Sequence, residues 1–142
     1  LKDAYFSMQI PKSTGRDYFS YSWLEKHIKD YNYEARDIQA TLLALTVATI
    51  KKDLEVYQEN NAADICYLYG KGVHNNFLVQ SLQQALANHQ VKTTAELGIP
   101  AEALEGALFA WLAHCYINKI AVDLSTITGA NTPGILGRAY LT

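Results

Sequence analysis

The stretch Ile65-Cys66-Tyr67-Leu68-Tyr69 decides more about the architecture of this chain than any other, because it runs straight into Gly70-Lys71-Gly72-Val73-His74-Asn75. Five apolar and aromatic residues bounded by Asp64 and Gly70 have the length and composition of a buried strand. Gly70 and Gly72 free the backbone for positive φ and let another molecule approach closely. A helix opening at Asn75 or Asn76 would aim its N–H groups and the positive end of its dipole at that turn. Strand, glycine turn and helix start together make either a nucleotide cradle or a strand-to-helix corner that binds nothing.

Helical patterns flank this centre. The Ser22-Trp23-Leu24-Glu25 sequence has the form of a capping box and predicts a short helix from Trp23 to about Lys29. Asp37 suits the N-cap of a long helix reaching about Glu59, ended by Asn60-Asn61. Leu43, Val47, Ile50, Leu54 and Tyr57 recur on one face, and Ile38, Leu42 and Leu45 widen it, so the first half should be nearly enclosed. After the glycine turn, Leu78, Leu82, Ala85 and Leu86 line one face of the next helix. His89 to Thr93 alternates weakly and reads as a second strand. Gly98-Ile99-Pro100 then breaks the chain, and Pro suits the first turn of a helix from about Ala101 to Asn118. Its core face should comprise Leu104, Leu108, Trp111, Leu112 and Cys115. The tail from Asp123 to Thr142 reads as a loop or edge strand. The order helix, strand, helix, strand, helix predicts an α/β layer with a small, mainly parallel sheet flanked by helices. Ligands of such sheets sit beyond the carboxyl ends of the strands, where residues 70–75 fall.

Composition narrows the partners. With 142 residues, 49% of them hydrophobic, the chain can bury the core of one compact domain. Twelve basic and 14 acidic residues, net charge −2, are mixed along it. Without a basic stripe, nucleic acid and anionic membrane surfaces are not expected partners. Cys66 and Cys115 fit no metal-ligand spacing and sit in apolar segments, the pattern of buried free thiols in a reducing compartment. No apolar run approaches the ~20 residues that span a bilayer and no signal peptide is visible, so a cytoplasmic protein is expected. The chain begins at Leu1 and its only methionine is Met8, which suggests a piece of a longer protein.

Two further places offer ligand chemistry. Pro11-Lys12-Ser13-Thr14-Gly15-Arg16 gathers two cations and two hydroxyls, either as charge-assisted donors to an anion or as a solvated turn. Glu105 lies among Ala101, Gly106, Ala107, Leu108 and Phe109. A carboxylate there either complements the helix dipole or serves a partner.

Several stretches together resemble the anhydro-N-acetylmuramic acid kinases. They are Pro11 to Phe19 with Trp23-Leu24, Asp37 to Leu42, and the Gly70 turn with Asn75. Thr93-Thr94, Glu96 to Pro100, Glu105 and Phe109 to Ala113 follow, and the tail adds Thr128-Gly129-Ala130 and Leu136-Gly137. The resemblance covers nearly the whole chain in order and looks like the C-terminal part of such an enzyme, less than half of the whole.

That resemblance implies an RNase-H-like lobe of the actin, Hsp70 and hexokinase-like superfamily, residues 1–142 forming one lobe of a two-lobe sugar kinase. Such enzymes use ATP and water to open the 1,6-anhydro bond of a cell-wall sugar while phosphorylating O6, in murein recycling. Gly70, Lys71, Gly72 and Asn75 would then face the nucleotide, and Glu105, Lys12 and Arg16 the sugar. Lys71 departs from the family pattern, which normally has a third glycine. The turn uses it at negative φ, or binding is weakened, or the ammonium reaches a phosphate. The catalytic aspartate, the first phosphate loop and the Mg2+ ligands are expected on an N-terminal lobe, so this segment carries no catalytic or metal-binding residue and should be inactive alone. The expected partners are that lobe and the sugar, with homodimer pairing through this lobe also implied. Two other readings stand beside this one: a non-catalytic actin-like nucleotide-binding or assembly module, and a purely structural α/β domain.

Overall fold

The computed structural model describes residues 2–9, 11–58 and 64–140. They form two compact units, one of residues 39–110 and one of residues 1–38 and 111–142, with both boundaries inside helices. The expected helix end at Glu59 to Asn61 lies outside the described residues.

In the unit of residues 39–110, strand β1 (Ile65–Leu68) pairs in parallel with β2 (Gln90–Thr93), Ile65 opposite Gln90 and Leu68 opposite Thr93. Both strands stand where the sequence places them. Parallel neighbours need a crossover, and helix α3 (Asn76–Ala85) supplies it. Helix α2 (Ala35–Gln58) packs its Val47 against Leu82 and Leu86, with Leu43, Cys66, Leu68 and Val91 closing round them. Leu82 is 1% exposed and forms the centre of this core. The polar face of α3 stays outward, with Gln80, Gln83 and Gln84 exposed. The fold is thus α/β with a small parallel sheet.

Two expectations about α2 are corrected. It begins at Ala35, two residues before Asp37, because the Glu34 carbonyl already accepts from the amides of Asp37 and Ile38 at 2.9 and 3.1 Å. Asp37 therefore lies in the first turn, where its charge still complements the dipole. The first half is half-buried at Leu42, Leu43 and Leu45 and not enclosed, and Tyr57 is exposed.

In the unit of residues 1–38 and 111–142, Asp3 organises an aromatic cluster. Its Oδ1 accepts from the Tyr5 amide at 2.9 Å and the Tyr18 hydroxyl at 2.8 Å, and its Oδ2 from the Trp23 indole at 2.9 Å. Phe19 meets Tyr5 and Trp23 edge-on and stacks on Phe6. Helix α1 (Tyr21–Ile28) starts earlier than the Ser22 motif suggests, because the Ser20 hydroxyl caps it by accepting from the Trp23 amide.

Helix α4 (Leu104–Ile117) departs most from expectation. Cys115 is buried, Leu104 and Leu112 are half-buried, but Leu108 is 49%, Phe109 63% and Trp111 49% exposed. Apolar residues occupy nearly every side of α4, so periodicity defines no single inward stripe. The helix ends at Lys119, whose φ of +57° is unusual for a side chain larger than Gly. The Ile120 amide reaches the Cys115 carbonyl and the Lys119 amide the Tyr116 carbonyl, the two bonds of a Schellman end. Beyond it, Val122 and Gly134 form an antiparallel bridge around the short helix α5 (Ser125–Thr128), which the loop-or-edge expectation omitted. Cys66 and Cys115 are both free thiols, and burial pushes the half-buried Cys66 upward in pKa. Among the described residues no helix is long and apolar enough to cross a membrane.

Two measurements check this packing. Leu82→Ala should lower the unfolding free energy by about 2–5 kcal/mol in urea titrations, whereas Leu108→Ala should cost under about 1 kcal/mol. The Trp23, Tyr5 and Tyr18 bonds, in that order, hold the Asp3 carboxyl below its ordinary value of 3.8. The unfolded chain therefore protonates Asp3 first, so its stabilisation is complete above pH 3.8 and is lost as pH falls through the folded value. Asp3→Asn should be less stable than wild type at neutral pH and show a shallower loss of stability below about pH 4.

Candidate functional site

β1 ends at Leu68, and the chain turns at Gly70 into a 3-10 segment, Lys71–His74. Gly70 has φ +77° and ψ −176°, a conformation open to essentially no residue but glycine. A Cβ built there would meet nothing within 4 Å, so the corner is open on that side. Gly72 differs: its φ is not positive, and a Cβ would make ordinary contact with Leu78 at 3.6 Å. Of the three readings of Lys71, the backbone realises negative φ, since Lys119 is the one positive-φ non-glycine among the described residues. Lys71 sits unstrained in the 3-10 turn.

Asn75 joins this turn to α3. Its Oδ1 accepts from the Leu78 amide at 3.1 Å and its carbonyl from the Val79 amide at 3.0 Å, the geometry of an N-cap. The cap occupies the acceptor oxygen, leaving the Nδ2 amino group as the part of Asn75 suited to a ligand.

Two residues that sequence reasoning did not connect to the turn, Ala101 and Glu102, meet it. The Gly70 amide donates to the Ala101 carbonyl at 2.9 Å, and the His74 imidazole Nε2 pairs with Glu102 Oε1. The Glu102 carboxyl is held below its ordinary value by its own amide first and by His74 second. His74 is exposed but paired. Opposite charge character was the only signal available, and 28 residues separate the two.

Glu105 lies in the first turn of α4 and is exposed, three residues beyond Glu102. Lys12 and Arg16 belong to the other unit. There the Lys12 ammonium lies over the Tyr5 ring, 5.2 Å from its centroid, while Arg16 is exposed beside Gly15, whose carbonyl accepts from the Tyr18 amide. Among the described residues no three His, Cys, Asp or Glu side chains converge as a metal site. Residues 70–75 combine an open backbone corner, an exposed ammonium-bearing side chain at Lys71 and a capped helix start.

The model of the anhydro-N-acetylmuramic acid kinase family matches residues 1–142. The chain belongs to that family. It is 48% identical over 140 residues to the anhydro-N-acetylmuramic acid kinase of Legionella pneumophila (strain Paris), covering 99% of this chain and 37% of that protein. The correspondingly named protein of Shewanella frigidimarina (strain NCIMB 400) is 40% identical over 141 residues, again 99% and 37%. That of Sulfurimonas denitrificans is 36% identical over 148 residues, covering 99% of this chain and 39% of the relative. The chain thus spans little more than a third of the length of these relatives.

The unequal backbone demands of the two glycines can be measured. Gly70→Ala should destabilise this family member by about 1–3 kcal/mol in urea titrations, while Gly72→Ala should stay within about 0.5 kcal/mol of wild type.

Proposed function

We propose that residues 1–142 are the C-terminal lobe of a two-lobe, RNase-H-like kinase. It uses ATP and water to open the 1,6-anhydro bond of anhydro-N-acetylmuramic acid and phosphorylates O6, in murein recycling in the cytoplasm. The observation that carries this reading is the Gly70 corner at the carboxyl end of β1, open where a side chain would otherwise stand, in a chain matched end to end by the family.

Gly70, Lys71, Gly72 and Asn75 face the adenosine side of the nucleotide in this reading. Gly70 lets the ligand approach the backbone, Asn75 offers Nδ2, and Lys71 supplies an ammonium. Glu105 contacts the sugar, with Lys12 and Arg16 as further sugar contacts. ATP supplies the phosphoryl group and Mg2+ shields its charge; the metal ligands and the base that activates water belong to the N-terminal lobe, the partner of this one. The balanced charge of the chain fits a small-molecule substrate better than nucleic acid or a membrane surface. Pairing into a homodimer through this lobe accompanies the proposal.

A non-catalytic actin-like nucleotide or assembly module is the second reading, motivated by Lys71 in place of glycine. The negative φ of Lys71 removes backbone strain from that argument and favours the kinase.

The test uses the full-length enzyme with ATP and the anhydro-sugar, following ADP release. Glu105→Ala should raise KM for the sugar at least about tenfold with KM for ATP little changed, the loss expected when a charged hydrogen-bonding partner is removed. Residues 1–142 alone should show no turnover. ATP binding by the full-length protein without sugar-dependent ADP release would support the module instead.

A further inference from the structure

The glycine turn is tied to the segment that enters α4 at two points, and the two ties differ in kind. The Gly70 amide to Ala101 carbonyl bond, 2.9 Å, joins backbone to backbone and ends on a buried residue. The His74 to Glu102 pair is exposed and joins side chains at the far end of the same 3-10 turn. Together they fix both ends of residues 70–74 against residues 101–102, three residues before Glu105.

We propose that His74 and Glu102 are positioning residues, a polar latch that holds the glycine turn in register with the start of α4. Neither needs to touch a ligand. This rests on the reading of Gly70 to Asn75 as the nucleotide side of the site and adds a role for a pair 28 residues apart. α3, packed against the turn, has no charged residue from Asn76 to Ala85. Exposed pairs are weak and screened by salt, so the effect is modest and falls with ionic strength.

The experiment uses the full-length enzyme and its variants His74→Gln, Glu102→Gln and the double substitution, with amide exchange at Gly70 and KM for ATP as readouts. Each single variant should accelerate Gly70 exchange and raise KM for ATP about two- to fivefold with kcat nearly unchanged, and the double should be no worse than either. Unchanged exchange in the single variants or additive effects in the double would each overturn the latch. Faster exchange with unchanged KM for ATP overturns its role in nucleotide positioning. Gly70→Ala isolates the parent reading, because a KM for ATP indifferent to that change removes the nucleotide from this turn whatever the latch does.

Discussion

Burial of Leu82 holds the candidate site in place. That side chain closes the space between α2 and the parallel pair, with Val47 and Leu86 at its sides and Leu68 and Val91 contributed by the strands. Because β1 and β2 run in the same direction, the chain must leave the carboxyl end of β1, cross over, and enter β2 at its other end. α3 makes that crossing only if its apolar face docks on the sheet, and Leu82 is the centre of that face. The glycine turn is therefore the first part of a crossover whose second part is clamped by the core. Asn75 marks the join, its side chain closing the start of α3 while the preceding residues stay in a tight 3-10 turn.

Much of this arrangement was legible from residue order. A five-residue apolar run between Asp64 and Gly70 leaves little choice but a strand, and asparagines after the glycines signal a helix start. Leu78, Leu82 and Leu86 at four-residue steps declared the buried face of α3 because glutamines occupy the other side. α4 gave no such contrast. Its leucines, alanines and aromatics surround the axis, so a stripe drawn through Leu108 and Trp111 was one of several that fit, and both residues are exposed. Helix starts shifted for a simpler reason: Ser20 and Ser22 are both competent caps, and the anchoring of Trp23 on Asp3 accompanies the earlier one.

The site itself divided along the same line between local and distant information. Gly70 announced itself, but that Gly72 tolerates ordinary backbone geometry was not visible in a motif that treats the glycines alike. Lys71 looked like a break in the pattern and fits the turn without strain. The contacts from Ala101 and Glu102 were beyond reach, since nothing in a sequence tells which of several acidic residues will meet one imidazole 28 positions away.

The contrast between the two glycines also bears on how this turn could change over time or in an engineer's hands. At Gly70 every replacement must first bend the main chain, so that position is closed to variation. Lys71 and Gly72 stand in helical geometry and can be exchanged for other residues at little conformational expense. Adaptation of this corner to a different ligand would therefore proceed through those two neighbours, pivoting on a fixed hinge point.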